Sequence, residues 1–139
     1  MWKKYSQSLI IAELSANHNQ SLERAEQSIR AVADTGADAV KLQTYTADTL
    51  TIPCDNEYFQ IKGTLWEGKT LHALYQEAFT PWEWHPRLMK LANDLGLLCF
   101  STPFDASAVD FLESLHVPCY KIASFEVVDI PLLKKVASM

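Results

Sequence analysis

The sequence predicts an α/β fold with a parallel sheet, organised as about four βα units, which is half of a (β/α)8 TIM barrel. Strand-length apolar runs alternate with segments of helical spacing, and this alternation implies right-handed crossovers between parallel strands. No run is followed by a GxGxxG or GxxxxGK loop, so nucleotide-binding open sheets lose support. Each run instead carries polar side chains toward its carboxyl end, and barrel enzymes place their chemistry at the carboxyl ends of strands.

Short apolar runs rich in β-forming residues predict the strands. They lie at 8–13, 37–45, 95–103 and 117–125. In the second run, the two-residue period of a strand places Lys41 and Gln43 on one face and Val40 and Leu42 on the other. We therefore expect the polar pair to face the barrel axis and the aliphatic pair to face the helices.

Apolar residues at helical spacing predict the helices. They lie at 21–36, 81–96, 107–116 and from Ile130 onward. Gly36 stands where a glycine commonly ends a helix, and Ser107 is a candidate N-cap with Asp110 three residues later. Both ends of the first helix are therefore marked in the sequence.

The segment at about 46–80 interrupts this alternation. It carries Tyr58, Phe59, Trp66 and Tyr75 among glycines and charges, without a compact helix–strand pattern. A long loop at the catalytic end of a barrel is typically a lid or an insertion that shapes the substrate site. A surface excursion with its own small helix at 70–79 is an equally good interpretation.

Composition limits the class of protein. The 139 residues are 48% hydrophobic with a net charge of −5, so we expect neither nucleic-acid nor membrane binding. The apolar stretch near the start is too short for a signal sequence or a membrane span, which predicts a cytoplasmic protein. The three cysteines form no CxxC pair and favour reduced thiols over a disulfide or a zinc site.

Two lysines in apolar strands, Lys41 and Lys121, need an explanation, because a buried ammonium group is costly without a partner. Each could pair with a nearby carboxylate such as Glu13 or Glu126. Each could instead be a Schiff-base lysine, as in barrel aldolases, where desolvation or a neighbouring cation lowers the lysine pKa.

The neighbours of these lysines favour a third interpretation. Gln43, Thr102 and Ser124 are hydrogen-bond donors suited to carboxylate or phosphate oxygens. Together with two ammonium groups they predict a site for a small polyanion such as a phosphorylated carboxylic acid. His18 is expected to be a structural hydrogen-bonding group more than a ligand, and Trp82 and Trp84 either line a sugar site or pack at a helix start.

Five stretches of the chain resemble the N-terminal half of the sialic acid synthase family, most closely its pseudaminic acid synthase branch. They are IIAELSANHN, GADAVKLQTYTADTLT, IKGTLWEGKTLHALYQEAFTPWEWH, LCFSTPFD and YKIASFE. The similarity runs from about Leu9 to the end of the chain and includes the long segment. Gln20 stands where many relatives have glycine.

The resemblance implies a TIM barrel followed by a small antifreeze-like domain, with 1–139 as a truncated part of the barrel. It implies condensation of phosphoenolpyruvate with an open-chain N-acetylated aminosugar, here a 2,4-diacetamido-trideoxy sugar, to give the nine-carbon pseudaminic acid and phosphate. A divalent metal, commonly manganese, would polarise the aldehyde, and its ligands are expected outside this fragment. The complete protein is expected to be a homodimer, and the fragment alone inactive.

The resemblance also implies roles for individual residues. Glu13, Glu126 and Lys121 would be catalytic, with the two carboxylates near the sugar aldehyde and the attacking water. Substrate-binding residues would be Lys41, Gln43, Thr102, Lys121, Ser124 and Asn17. Three alternatives remain open: a sialic or legionaminic acid synthase, an aldolase-like barrel with a Schiff-base lysine, and a non-catalytic half-barrel module that binds an anion or a partner chain.

Overall fold

Helices cover one face of a three-stranded parallel sheet in the computed structural model, which describes residues 8–139. The strands are β1 (Ile11–Glu13), β2 (Ala39–Thr44) and β3 (Leu98–Pro103), in the spatial order β1-β2-β3. The helices are α1 (Leu22–Asp34), α2 (Ala47–Leu50), α3 (Leu71–Ala78), α4 (His85–Asp94), α5 (Ala106–Ser114) and α6 (Ile130–Ala137). Two 3-10 turns lie at Trp82–Trp84 and Phe125–Val128. The predicted α/β class is confirmed.

The core lies between the sheet and its helices. Val40 and Leu42 of β2 are buried against Ile29 of α1 and Leu88 of α4. Complete burial of each such side chain stabilises the fold by about 1.5–3 kcal/mol. The aliphatic face of β2 therefore packs on the helices, as its alternating pattern predicts, and the face with Lys41 is turned the other way.

The first helix begins and ends where the sequence predicts. The Ser21 side chain accepts a hydrogen bond from the backbone N–H of Arg24, at the N-terminus of α1. Gly36 follows the helix with a φ of +77°, a left-handed conformation that costs a glycine little. These two residues therefore fix the length of α1.

The fourth predicted strand is wrong in its extent. Segment 117–125 joins the sheet only through an isolated parallel bridge between Ser101 and Tyr120. Pro118 has no N–H to donate, and within the described residues the segment has β3 alone as a neighbour. The chain therefore leaves the sheet after one pair and enters the turn at Phe125–Val128.

The predicted cap of α5 is also wrong. Asp105 is the N-cap, and its carboxylate accepts hydrogen bonds from the backbone N–H groups of Ser107 and Ala108. A carboxylate at this place is favoured by the helix dipole as well as by these bonds. Ser107 lies inside the first turn, where its hydroxyl donates to Asp105.

The long segment between β2 and α4 is folded. It contains α2 and α3, which confirms the small helix predicted at 70–79. Between them, Gln60 and Thr70 form an antiparallel bridge, and the Ile61 N–H donates to the Lys69 carbonyl at 2.9 Å. This segment brings aromatic residues to the carboxyl ends of the strands.

None of the helices described in 8–139 has the length and apolar character needed to cross a membrane. The three cysteines are free thiols, and Cys99 is fully buried. Residues 1–7, on which part of the signal-sequence argument depends, lie outside the described residues.

Candidate active site

The uncovered face of the sheet carries the polar residues. In the strand register, Glu13 of β1 lies beside Lys41 of β2, and Gln43 lies beside Thr102 of β3. Side chains two residues apart on a strand share a face, so these four belong to one surface. Strand alternation and parallel pairing thus assemble a carboxylate, an ammonium, an amide and a hydroxyl at the carboxyl ends of the strands.

Lys41 is the centre of this surface. Its ammonium group forms an ion pair with the Glu13 carboxylate and donates to the Thr102 hydroxyl at 3.4 Å. Burial, and then the nearby charge of Lys121, lower the pKa of Lys41 to about 8. Lys41 is therefore mostly charged at neutral pH and loses its proton within the mildly alkaline range.

Lys121 reaches the same region from the segment that follows β3. Its backbone N–H donates to the Ser101 carbonyl at 3.1 Å, which fixes the segment against the strand. Its side chain lines two open cavities, of about 650 and 420 Å³. The smaller cavity is also lined by Glu13 and Lys41, so the two lysines face a common space.

The larger cavity is lined by both polar and apolar residues. Its polar lining consists of Gln43, Lys121, Ser124 and Glu126. Its apolar lining comes mainly from the long segment and the ends of β2 and β3: Tyr45, Leu50, Trp66, Leu74, Tyr75 and Phe104. A ligand that fits it would combine an anionic or hydrogen-bonding part with an apolar part.

Glu126, which lines this cavity, has an unpaired oxygen. Its Oε2 atom is buried and has no hydrogen-bond partner. A buried carboxylate oxygen without a donor is costly, so a donor that reached it would stabilise the Glu126 carboxylate. One carboxylate does not make a metal site, and residues 8–139 contain no group of three or more His, Cys, Asp or Glu side chains able to hold a metal ion.

A buried hydrogen-bonded chain lies directly behind the polar surface. The Thr44 hydroxyl lies 2.9 Å from Nε2 of His85 and 2.7 Å from the Ser101 hydroxyl, while Nδ1 of His85 faces the Pro81 carbonyl at 3.3 Å. Because a carbonyl only accepts, Nδ1 carries the proton, Thr44 donates to Nε2 and Ser101 donates to Thr44. Burial lowers the pKa of His85 to about 4, which keeps it neutral.

This chain ties the end of β2 to the end of β3. The sequence alone does not identify His85 as a member of this chain. The signal for His85 in the sequence is a histidine directly after Trp84. A strand that ends in Thr44 precedes it much earlier in the chain. A histidine alone does not reveal which strand it reaches.

The loop after β1 is fixed by its own polar residues. Nδ1 of His18 accepts from the Gln20 N–H, and Nε2 donates to the Thr80 hydroxyl, each at 3.1 Å. The Gln20 side chain donates to the carbonyls of Glu77 and Phe79, and its φ of +55° explains a position where glycine also fits. Burial lowers the pKa of His18, in agreement with a neutral structural role.

Asn17 and the two tryptophans lie apart from the cavity linings. The Asn17 side chain donates to the Leu14 carbonyl at 2.9 Å within the turn, and substrate binding by Asn17 stays a prediction. Trp82 stacks on Phe111 at 4.9 Å and donates to the Tyr45 carbonyl, and Trp84 packs edge-on to His18. Both tryptophans are therefore packing residues.

The structure thus brings most of the predicted site residues together. Glu13, Lys41 and Thr102 are in direct contact on the uncovered face. Gln43, Lys121, Ser124 and Glu126 line the adjoining larger cavity. The roles that the resemblance implies for them remain proposals.

A comparison with protein-family models matches residues 28–139 to the NeuB family. The chain belongs to the NeuB family. Its sequence relatives within this family include pseudaminic acid synthases from Helicobacter pylori, at 53% identity over 128 residues, and from Campylobacter jejuni, at 51%. An N,N'-diacetyllegionaminic acid synthase from Legionella pneumophila is 40% identical over 129 residues.

The NeuB-family chain covers only part of these relatives. The match to the Helicobacter pylori synthase includes 92% of this chain and 38% of that protein. The fold is similar to an N-acetylneuraminic acid synthetase from Leptospira borgpetersenii, with a TM-score of 0.76 and 27% identity, over 94% of this chain and 42% of that one. The activity of the whole protein is therefore a matter for proposal.

Proposed function

We propose that this chain is part of an enzyme that condenses phosphoenolpyruvate with an N-acetylated aminosugar to form a nonulosonic acid and phosphate. Membership of the NeuB family and about 50% identity to proteins named pseudaminic acid synthase support this proposal. We further propose a 2,4-diacetamido-trideoxy sugar and pseudaminic acid as the product. Sialic and legionaminic acid are the alternatives, and a legionaminic acid synthase is also among the relatives.

The observation that carries this proposal is the pair of ammonium groups facing one space. The charge of Lys121 lowers the pKa of Lys41, and a single carboxylate, Glu13, pairs directly with Lys41. An anionic ligand would relieve the repulsion between the lysines. Phosphoenolpyruvate carries a carboxylate and a phosphate, so it offers one anionic group to each lysine and further oxygens to Gln43 and Ser124.

The proposed reaction proceeds in two bond-forming steps. C3 of phosphoenolpyruvate forms a C–C bond to the aldehyde carbon, the aldehyde oxygen takes a proton to become a hydroxyl, and positive charge develops at C2. Water then adds to C2 and gives up a proton, and cleavage of the C–O bond releases phosphate. The Glu126 carboxylate, from a residue that lines the larger cavity, is suited to stabilise the charge at C2 or to accept the proton of the water.

The proposal also includes a divalent metal, because the family resemblance implies one. Its ligands are expected outside the described residues. No step described above depends on it. The cytoplasmic location and the homodimer are likewise proposals. A cytoplasmic enzyme would have direct access to phosphoenolpyruvate, which is an intermediate of cytoplasmic metabolism.

The experiment measures phosphate release from phosphoenolpyruvate and the aminosugar by a full-length synthase that carries this chain. We expect Lys121→Ala to lower turnover by a factor of about 100 or more, because it removes a charge from the site. Lys90→Ala is the matched control, since Lys90 is exposed and pairs only with Asp94 on α4. We expect it to change the rate by less than about twofold. A wild-type rate in Lys121→Ala would show that Lys121 is not part of the active site.

A Schiff-base mechanism is the second candidate, and one observation favours it. Lys41, with a pKa of about 8 beside another cation, has the properties of a nucleophilic amine. Borohydride reduction in the presence of pyruvate would trap a covalent adduct on the lysine. Phosphate release without any trapped adduct would exclude this mechanism and support the condensation.

A further inference from the structure

Much of the apolar lining of the larger cavity comes from the long segment between β2 and α4. Leu50 of α2, Trp66 and the α3 residues Leu74 and Tyr75 line this cavity, and Lys121 and Ser124 line it as well. Of these four, Leu50 and Leu74 have wholly apolar side chains, and Trp66 and Tyr75 present aromatic rings. The segment therefore supplies a mainly apolar wall to a cavity that polar residues also line.

Several contacts hold parts of this wall in place. The Tyr45 ring packs edge-on against Tyr75 at 5.9 Å and against Phe104 at 5.4 Å. Nε2 of His72, on α3, lies 2.8 Å from the Asp48 carboxylate on α2. The Gln20 side chain donates to the Glu77 and Phe79 carbonyls, so the C-terminal end of α3 is anchored to the loop after β1. The α3 part of the wall, with Leu74 and Tyr75, is therefore held in place without a ligand.

An apolar wall of this kind discriminates between sugars. A hydroxyl group placed against Leu74 or Trp66 would lose its water without gaining a partner, whereas a methyl group would gain apolar contact. An aminosugar that is deoxygenated at one carbon and N-acetylated offers several methyl groups. A fully hydroxylated sugar of the same size offers fewer.

We infer that Trp66 and Leu74 are specificity-determining residues, which bind the methyl groups of a deoxygenated, N-acetylated aminosugar and select against the hydroxylated analogue. This inference rests on the proposed function. It assigns phosphoenolpyruvate to the lysine side of the cavity and the methyl-bearing part of the sugar to the wall. The long segment thus acts as a selector of substrate.

The experiment compares two sugars in a full-length synthase that carries this chain. One is an N-acetylated aminosugar with a methyl group at C6, and the other differs only by a hydroxyl on that carbon. We expect the wild type to prefer the methyl sugar by about 10- to 100-fold in kcat/KM, which is the range for an added hydroxyl in an apolar pocket. We expect Leu74→Gln to lower that preference at least threefold, through a loss on the methyl sugar, with an unchanged KM for phosphoenolpyruvate.

Two matched variants accompany this test. Leu74→Met keeps an apolar side chain of similar volume and is expected to keep the preference. Leu65→Gln introduces the same amide at a side chain that is 97% exposed and does not line the cavity, so it is also expected to keep the preference. Trp66→Ala is expected to lower the preference as Leu74→Gln does.

The outcomes separate the two proposals. Equal use of both sugars by the wild type, or an unchanged preference in both Leu74→Gln and Trp66→Ala, would overturn this inference while leaving the condensation intact. Loss of turnover in Leu74→Gln with normal turnover and preference in Trp66→Ala would also overturn it. If the wild type releases no phosphate with either sugar, the proposed function is overturned, and this inference with it.

Discussion

Lys41 shows how a single residue combines a structural role with a proposed functional one. From the sequence, the Lys41 ammonium group could either pair with Glu13 or bind an anion. The structure shows the pairing directly. The pair does not exclude the anion, because Lys121 adds a second positive charge at the same space. The ion pair therefore orients an ammonium group that a ligand can share.

The pKa of Lys41 leads to a pH dependence of substrate binding. Only the protonated form attracts an anion, and its pKa of about 8 means that this form disappears as the pH rises above 8. We expect the KM for phosphoenolpyruvate to be constant between pH 7 and 7.5 and to rise by up to about tenfold between pH 8 and 9.5, in steady-state assays of the full-length enzyme. A constant KM up to pH 9.5 would show that Lys41 does not bind the anion.

At the scale of single residues, the sequence predicts the face of a strand on which a side chain lies better than the residues that it contacts. The two-residue period of β2 correctly separates Lys41 from Leu42, because alternation is a property of any strand. The Thr102 hydroxyl contacts Lys41 because β2 and β3 pair in one particular register, which a single sequence does not specify. Phe125 illustrates the opposite case, since an apolar run predicts burial and the side chain is 89% exposed.

At the scale of elements, the buried chain from His85 through Thr44 to Ser101 connects α4 to the ends of β2 and β3. It requires neutral His85, because a protonated Nε2 would no longer accept from Thr44. The pKa of His85 is about 4 in the folded protein and near 6.5 in an unfolded chain. Below pH 6.5 the unfolded chain binds more protons, so the folded state loses stability as the pH falls.

This difference predicts acid sensitivity. The contribution of His85 to the free energy of unfolding should be about 2 kcal/mol lower at pH 5 than at pH 7.5. The measurement is denaturant unfolding of the full-length protein at both pH values, with His85→Gln as the comparison. Glutamine can accept from Thr44 and does not titrate, so the pH-dependent loss should shrink by that amount. An equal loss in both proteins would assign the acid sensitivity to other groups.

The start of α5 gives a second test of an element. Asp105→Ala should lower the free energy of unfolding by about 1 kcal/mol, because it removes the acceptor for two backbone N–H groups. Ser107→Ala should cost less than half as much, since its hydroxyl only donates to Asp105. Denaturant midpoints of the two variants provide the measurement. A larger loss of stability in Ser107→Ala than in Asp105→Ala would show that Ser107 is the N-cap of α5.

Elements with local signals are the ones that the sequence predicts well. Ser21, Gly36 and the apolar spacing between them define α1, because capping and helical periodicity act over a few residues. Segment 117–125 reads as a strand by composition, yet strand formation depends on neighbours distant in sequence. The two helices of the long segment have weak periodicity, and their place on the cavity follows from contacts with Tyr45 and Gln20.

At the scale of the whole molecule, the sheet has helices on one face and open cavities on the other. Ile11 is 43% exposed on that open face. A second apolar region lies in and just after the turn Phe125–Val128 and consists of Phe125, Val127, Val128 and Ile130. Such surfaces and the outer edge of β1 are suited to contact with further protein. Within residues 8–139, these apolar side chains are exposed to water.

We therefore expect the isolated 139-residue chain to self-associate. Burial of exposed apolar side chains between copies is favourable at about 25 cal/mol per Å2, and open strand edges add hydrogen bonds. Light scattering at increasing concentration should show particles larger than the 15.7 kDa monomer. Val128→Asp should reduce this association, because Val128 is 78% exposed within the second apolar region, whereas Leu65→Asp, on the long segment, should have less effect. A monodisperse monomer at all concentrations would show that these surfaces tolerate water and are not interfaces.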